Sequence, residues 1–134
     1  MVKMSITYVG QKHCELTHGP SGSKIETDAP KDNQGLGEKF SPTDLVGAAL
    51  GSCILTTMAI NAEKEGLSIV GAKCQVGKEM ITQPRKIGTL SVSITLPAKL
   101  KPEDRVKMEK IAASCPVTQS LHPDLKIPMS FIYE

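Results

Sequence analysis

Four cysteines are the side chains of this sequence that could carry redox or nucleophilic chemistry: Cys14, Cys53, Cys74 and Cys115. Only a thiolate is a competent nucleophile, so a reactive cysteine needs a cation or a hydrogen-bond donor beside it. No two cysteines form a C-x-x-C pair, and none is spaced from a histidine as zinc ligands are. We therefore expect no metal site, and the position of each thiol must decide whether it is inert or reactive.

Cys53 lies inside a long apolar segment, in the sequence Ala-Leu-Gly-Ser-Cys-Ile. An isolated cysteine in such a place is ordinarily a small hydrophobic residue of the core. Gly51 stands two residues before it, and a glycine inside a helix costs about 1 kcal/mol relative to alanine. A glycine beside the thiol indicates that something approaches the helix closely there. Position alone leaves both interpretations of Cys53 open.

Cys115 directly precedes Pro116, and a residue before proline avoids the helical conformation. We therefore expect a helix to break here and Cys115 to be the N-cap of the next turn. Its sulfur would then face free backbone N–H groups, which lower the pKa of a thiol. The alternative is a half-buried cysteine at a helix end. Cys14 and Cys74 fall in predicted strands without such chemistry, and we interpret both as sheet residues.

The elements that must position these thiols alternate between strands and helices. Short runs between turn residues predict strands at 4–9, 13–17 and 23–27, and a polar loop follows at 28–39. The later segments predict strands at 68–82 and 89–96, a helix at 102–114, a turn at 116–121 and a strand at 127–133. This order predicts an α+β fold, and 134 residues suit a single domain with one core.

A long helix is predicted over about 41–65. Ser41 is its expected N-cap, Pro42 takes the first helical position, and Asp44 completes a capping box. Gly66 marks its end. Apolar residues spread around most of its circumference, and such a helix must be buried. We expect it to be central, with a second subunit completing its cover.

Composition restricts the classes of partner. The formal charge is +2, and the chain has two Tyr, two Phe and no Trp. Neither basic runs nor stacking aromatics are present, so we expect no nucleic-acid and no membrane binding. The first residues lack the apolar region of a secretory signal, which predicts a cytoplasmic protein.

Two segments together resemble a known family. Residues 40–53, Phe-Ser-Pro-Thr-Asp-Leu-Val-Gly-Ala-Ala-Leu-Gly-Ser-Cys, and residues 115–124, Cys-Pro-Val-Thr-Gln-Ser-Leu-His-Pro-Asp, are similar to the OsmC/Ohr family. That family comprises osmotically induced protein C and the organic hydroperoxide resistance proteins, and the loop at 28–37 fits it as well. The resemblance implies antiparallel sheets around a long buried central helix. It also implies an intertwined homodimer with two sites at the subunit interface.

The resemblance further implies an antioxidant, stress-response activity. Cys53 matches the peroxidatic cysteine, and Cys115 matches the resolving cysteine. The implied enzyme is a thiol-dependent peroxidase that reduces small hydrophobic hydroperoxides. It forms an intramolecular disulfide that an external dithiol, such as a lipoyl group, reduces, and it needs no bound cofactor.

The sequence departs from the best-known members, which pair the reactive thiolate with an N-terminal arginine and a glutamate at the start of the central helix. The two arginines here are Arg85 and Arg105, and Thr43 stands in the place of the glutamate, with Asp44 next to it. We therefore name Thr43, Asp44 and His18 as supporting site residues. Three further residues are candidates for the cation that would activate Cys53: Lys12, Lys24 and Arg105.

Two other functions remain open from the sequence. One is a non-catalytic small-molecule binding or redox-sensing protein that uses the same pocket at the dimer interface. The other is a structural dimer whose thiols take no part in chemistry. Two sulfur atoms within bridging reach would favour the redox pair, and a wide gap would favour binding.

Overall fold

The computed structural model describes residues 1–134, which form two compact units, Met1–Val46 and Gly47–Glu134. The elements in chain order are β1 (Met4–Gly10), β2 (His13–His18), β3 (Lys24–Asp28), a 3-10 helix (Lys31–Asn33), α1 (Pro42–Lys64), β4 (Lys73–Ile81), β5 (Lys86–Leu96), α2 (Pro102–Ala112), α3 (Pro116–Ser120) and β6 (Met129–Tyr133). The α+β class is confirmed. The prediction of a single domain stays a prediction.

The first unit is built on an antiparallel sheet in the order β1-β2-β3. Gln11 and Lys12 connect β1 to β2 with φ values of 51° and 62°, and Gly22 in the next turn has a φ of 72°. These left-handed conformations make the tight reversals that the turn residues predict. The bounds of the three predicted strands agree with the structure to within one residue.

A buried carboxylate fixes the loop that follows β3. Asp28 is fully buried; its Oδ2 accepts a hydrogen bond from the Glu38 amide at 2.9 Å, and its Oδ1 lies 3.3 Å from His13 Nδ1. Gly35 packs so closely on this loop that a Cβ there would lie 1.8 Å from the carbonyl oxygen of Ala29. The polar loop predicted at 28–39 is therefore an ordered segment that ends at the start of α1.

The start of α1 is a capping box, as predicted. The Ser41 amide donates to Asp44 Oδ2 at 2.9 Å, and the Asp44 amide donates to Ser41 Oγ at 3.0 Å. Two backbone N–H groups that the helix cannot satisfy are thereby paired. The observed bounds, Pro42–Lys64, match the predicted helix closely.

The second unit is built on a mixed sheet in the order β4-β5-β6. β4 and β5 are antiparallel, but β5 and β6 are parallel. The antiparallel pairing that the resemblance implies therefore holds for the other three strand pairs and not for this one. The chain travels from β5 to β6 through α2 and α3, and a crossover of that length returns a strand in the parallel direction.

One face of α1 packs on this sheet. Within the second unit the helix buries Gly47, Leu50, Gly51, Ile54, Met58 and Ala62, which recur every three or four residues. A Cβ on Gly51 would lie 3.1 Å from Val76 Cγ2 and 3.2 Å from Cys74 Sγ. The close approach expected at Gly51 is therefore that of the sheet.

Burial of α1 is incomplete in the single chain, although the sequence predicts a helix buried all round. Ile60, for example, is 50% exposed. The reason is that one sheet covers only one side of a helix. By length and composition alone α1 would also suit a membrane span, but a core helix has the same properties, and its packed face is that of a core helix.

The remaining core comes from β5 and α2. Leu90, Val92, Ile94 and Leu96 alternate inward along β5, as the sequence predicts. The predicted strand at 68–82 starts late, at Lys73, because residues 70–71 form a turn in which Gly71 has a φ of 92°. The turn predicted at 116–121 is the helix α3.

Candidate functional site

Cys115 is the N-cap of α3, as predicted. Its backbone is extended, with φ of −67° and ψ of 155°, and Pro116 takes the first helical position. The residue is 0% exposed. A fully buried thiol ordinarily becomes less acidic, because burial disfavours the charged form.

Neighbouring donors reverse that effect at Cys115. Burial raises the pKa of this thiol, but hydrogen bonds from the Thr118 hydroxyl, the Thr118 amide, the Cys53 thiol and the Val117 amide outweigh burial, so the pKa is lowered. The Thr118 hydroxyl oxygen lies 3.2 Å from Cys115 Sγ. The amide contacts fall short of a formal N-cap hydrogen bond, yet they still favour the thiolate.

Cys53 lies on α1, on a different side of the helix from the face that packs on the sheet. It is partly exposed, and its Sγ lies 3.9 Å from Thr57 Oγ1, one helical turn further along. Its thiol is also one of the donors to Cys115. The fold therefore brings together the two cysteines that the sequence singled out, and both are free thiols.

The contact makes an unequal pair. Cys115 has no exposed surface and several donors, whereas Cys53 is partly exposed. A stabilised thiolate can act as a nucleophile or as a proton acceptor, and the exposed thiol is the one that a dissolved molecule can reach. Two sulfurs in contact can also be joined by oxidation, with the loss of two electrons.

The supporting residues named from the sequence lie in the first unit. Asp44 and Ser41 form the capping box, and Thr43 Oγ1 lies 3.2 Å from Ser41 Oγ. His18 is exposed, and its Nδ1 lies 2.7 Å from Ser21 Oγ in the β2–β3 turn. Their proposed action on the thiols stays a prediction.

Arg105 is held within the second unit by groups other than the cysteines. Its Nε donates to the Leu100 carbonyl at 2.9 Å, and its Nη2 donates to the Ala98 carbonyl at 2.7 Å. Its guanidinium carbon lies 4.1 Å from the centre of the Tyr133 ring. Within its own chain this arginine stabilises the start of α2 and the last strand.

Sequence reasoning missed Thr118 and Thr57, the two hydroxyl groups beside the thiols. Each was detectable from spacing. Thr118 stands three residues after the expected N-cap, where a side chain can turn back to the cap. Thr57 stands four residues after Cys53, which places both on one side of a helix.

The other two cysteines lie in strands, as expected. Cys14 is paired across the sheet with Tyr8 and Thr27. Cys74 is paired with Ile94 and faces Gly51 of α1. Burial raises the pKa of Cys74, so this thiol is less reactive than an ordinary cysteine. No group of three or more His, Cys, Asp or Glu side chains is arranged to hold a metal ion.

The chain thus combines an α+β fold of two sheets and one long helix with a contact between two free thiols. The family model described as OsmC-like protein matches residues 35–130, a span that includes both cysteines. The chain belongs to the OsmC-like family. A search of curated proteins gives no match.

Solved structures agree with that assignment. A protein of Psychrobacter arcticus 273-4, named for osmotic stress induction and detoxification response, is 37% identical, with a TM-score of 0.93 over 98% of this chain and 96% of that one. The organic hydroperoxide resistance protein OsmC of Legionella pneumophila shares the fold at 13% identity, with a TM-score of 0.79 over 98% and 96% of the two chains. OhrB of Bacillus subtilis, an organic hydroperoxide resistance protein, shares it at 14% identity, with a TM-score of 0.69 over 98% and 97%.

Proposed function

We propose that this protein reduces organic hydroperoxides, with Cys53 as the peroxidatic cysteine and Cys115 as the resolving one. The observation that carries the proposal is the contact between a partly exposed thiol and a buried one that has the Thr118 hydroxyl at 3.2 Å from its sulfur. Relatives named for organic hydroperoxide resistance share the fold, which adds support.

The reaction proceeds in two steps. The Cys53 thiolate attacks the outer oxygen of the hydroperoxide, the O–O bond breaks, and the products are an alcohol, once the alkoxide gains a proton, and a sulfenic acid on Cys53. The Cys115 thiolate then attacks that sulfenic sulfur, the S–O bond breaks, and hydroxide leaves. The resulting disulfide is reduced by exchange with an external dithiol, for which a lipoyl group is our first choice.

The proposal includes a homodimer. Alternate residues of β1 form an apolar row on one face of the first sheet, with Met4 65%, Ile6 60% and Tyr8 65% exposed. Exposed apolar rows of this kind mark interaction surfaces. A second copy of this chain would cover them. The apolar residues of α1 around Cys53 favour alkyl hydroperoxides over hydrogen peroxide as substrate. We place the protein in the cytoplasm, where thiols stay reduced.

Peroxide titration with thiol counting tests the proposal. The reduced protein is treated with cumene hydroperoxide, and free thiols are counted after denaturation. We expect wild type to lose both thiols of the pair and to regain them with dihydrolipoamide. Cys53→Ser should consume no peroxide, and Cys14→Ser is the matched control that should behave as wild type.

Unchanged peroxide consumption in Cys53→Ser would show that a residue other than Cys53 reacts with the peroxide. If wild type binds cumene hydroperoxide but loses no thiols, the protein is a binding protein. If it is oxidised once but dihydrolipoamide and other dithiols fail to reset it, the pair is a redox sensor.

A further inference from the structure

We propose that the hydroxyl of Thr57 is a catalytic group of the peroxide-reducing step: it donates a hydrogen bond to the hydroperoxide while Cys53 attacks it. This bond holds the two peroxide oxygens beside the Cys53 sulfur and stabilises the negative charge that develops as the O–O bond breaks. The inference rests on the proposed function and adds to it a second group that touches the substrate.

Thr57 lies on α1 one helical turn beyond Cys53, on the same side of the helix. Its Oγ1 lies 3.9 Å from Cys53 Sγ, which is a long contact. Both residues are partly exposed, so a dissolved molecule that reaches the sulfur also meets the hydroxyl. Because one helix carries both groups, their separation does not depend on how distant elements pack.

The distance between the sulfur and the hydroxyl suits a peroxide oxygen that contacts both. A reacting atom lies about 3–3.5 Å from its nucleophile before attack. An O–H···O hydrogen bond is about 2.7–2.8 Å long. These two lengths form a closed triangle with the 3.9 Å between Cys53 Sγ and Thr57 Oγ1. An oxygen placed for attack by Cys53 can therefore accept a hydrogen bond from Thr57 at the same time.

The Thr57 hydroxyl is available to donate to the peroxide. A helical threonine often bonds its hydroxyl to a carbonyl one turn back, but the only hydrogen-bonding contact of Thr57 Oγ1 here is the long one to Cys53 Sγ. Asn61 Nδ2 donates to the Thr57 carbonyl at 2.8 Å, so this amide binds the backbone and does not occupy the hydroxyl. A donor without a strong partner loses little when it turns to the substrate.

A donor is needed because Cys53 lacks the N-terminal arginine that pairs with the reactive thiolate in the best-known members of the family. Within its own chain, Arg105 donates to two backbone carbonyls instead. A hydrogen-bond donor aimed at a developing negative charge stabilises the transition state without carrying a charge itself. Thr57 supplies the hydroxyl that contacts Cys53, and it is therefore the group of α1 best placed for this role.

The step is balanced without transfer of the Thr57 proton. The Cys53 thiolate forms a bond to the outer peroxide oxygen and the O–O bond breaks, so that sulfur is oxidised by two electrons and the peroxide is reduced. The products are Cys53 sulfenic acid and an alkoxide. The alkoxide takes a proton from water and leaves as an alcohol, while hydroxide remains in solution. Thr57 keeps its proton and is ready for the next turnover.

Rates of Cys53 modification by two reagents separate a contact with the peroxide from an effect on the thiol. Reduced protein is mixed at neutral pH with cumene hydroperoxide or with iodoacetamide, which attacks through carbon and releases iodide. Loss of the Cys53 thiol is followed by peptide mass spectrometry. Removing one donor to a developing charge costs about 100- to 1000-fold in a closed site. Water replaces part of the donor at a partly exposed site, so we expect Thr57→Val to slow oxidation on the order of 10-fold and to leave alkylation unchanged.

Thr57→Ser keeps the hydroxyl and should react with both reagents nearly as wild type does. Thr56→Val is the matched control, because Thr56 is the neighbouring threonine on the exposed side of α1, and it should also behave as wild type. Thr57→Ala, with the better helix former, is the second variant without the hydroxyl. Far-UV circular dichroism and thermal melting report whether each variant is folded.

Oxidation of Cys53 at the wild-type rate in a folded variant without the hydroxyl would overturn the inference and leave the proposed function intact. Equal slowing of oxidation and alkylation would also overturn it, since the hydroxyl would then act on the thiol and not on the peroxide. Absence of Cys53 oxidation in wild type would instead overturn the proposed function.

Discussion

At the scale of single residues, the hydroxyl of Thr118 contributes most among the hydrogen bonds that lower the pKa of Cys115 in spite of burial. Removing a donor to a thiolate destabilises the charged form, so we expect Thr118→Val to raise the pKa of Cys115. A hydrogen bond to a charged group is worth about 1.5–3 kcal/mol, so its loss should be measurable in the titration of the thiol. The measurement is the ultraviolet absorbance of the thiolate against pH, in a Cys53→Ser background where the second thiol of the pair is absent.

Thr118→Ser is the matched control, because it keeps the hydroxyl and loses only a methyl group. We expect its titration to follow that of the Thr118 parent. If Thr118→Val titrates like Thr118→Ser, the hydroxyl contributes nothing to the acidity of Cys115, and the two amides alone would have to account for it.

A second residue-scale prediction concerns Tyr133 at the end of β6. Its hydroxyl donates to Glu109 Oε1 at 2.6 Å; burial and this hydrogen bond raise its pKa to about 12. Because the folded pKa lies above the ordinary value of 10.0, the stabilisation is complete below pH 10 and is lost as pH rises towards 12. We expect Tyr133→Phe to lower the free energy of unfolding by about 1 kcal/mol at neutral pH, a figure reduced for partial exposure.

The difference between Tyr133→Phe and wild type should shrink as pH rises from 10 to 12. Urea unfolding at a series of pH values measures it. A difference that stays constant across that range would show that ionisation of the Tyr133 hydroxyl does not control the contribution of its hydrogen bond to Glu109.

At the scale of elements, the packing of α1 on the second sheet depends on two glycines. A Cβ on Gly47 would lie 3.5 Å from Leu90 Cδ2 and Val76 Cγ1, an ordinary contact, whereas one on Gly51 would lie only 3.1 Å from Val76 Cγ2. Alanine is the better helix former, so we expect Gly47→Ala to raise the free energy of unfolding by up to about 1 kcal/mol. Gly51→Val should lower it by about 1–3 kcal/mol, because overpacking forces the helix away from the sheet.

Urea unfolding of the two variants, compared with wild type, measures both effects. Equal changes in the free energy of unfolding of the two variants would contradict the packing argument. The helix has room for a side chain against the sheet at position 47 but not at position 51. Gly51→Val should also slow the reaction of Cys53 with cumene hydroperoxide, because the same helix carries the thiol.

Some elements follow from sequence and others do not. The capping box of Ser41 and Asp44 and the alternation along β5 are local patterns, and both are confirmed. The parallel pairing of β5 with β6 was missed, because the direction in which two distant strands pair depends on the path of the helices between them. The site shows the same division. The N-cap position of Cys115 could be predicted from Pro116, and the Thr118 contact was open to the same local reasoning. The approach of Cys115 to Cys53 could not be predicted in this way, because it depends on how the chain returns from α2 to α1.

At the scale of the whole molecule, the exposed apolar row of β1 is the feature that predicts self-association. Lys at position 6 would place a charge in the middle of that row, so we expect Ile6→Lys to dissociate the dimer or weaken it by more than 10-fold, about 1.4 kcal/mol. Thr7→Lys is the matched control, because neighbouring strand residues point to opposite faces of the sheet. Sedimentation velocity over a range of concentrations measures the change.

A wild-type protein that sediments as a monomer at all concentrations would contradict the dimer. Loss of the dimer in both variants would show that charge on β1 in general, and not the apolar row, governs assembly. If Ile6→Lys is monomeric, its rate of Cys53 oxidation shows whether one chain suffices for the chemistry.

The contact between Cys53 and Cys115 is the claim on which the proposed reaction depends, and peptide mapping of the oxidised protein tests it most directly. Reduced protein receives one equivalent of cumene hydroperoxide, is alkylated under denaturing conditions and is digested without reductant. We expect a cross-linked pair of peptides containing Cys53 and Cys115, with Cys14 and Cys74 alkylated. Cys53 oxidised to sulfinic acid with Cys115 still alkylated, or a cross-link through Cys14 or Cys74, would contradict the account.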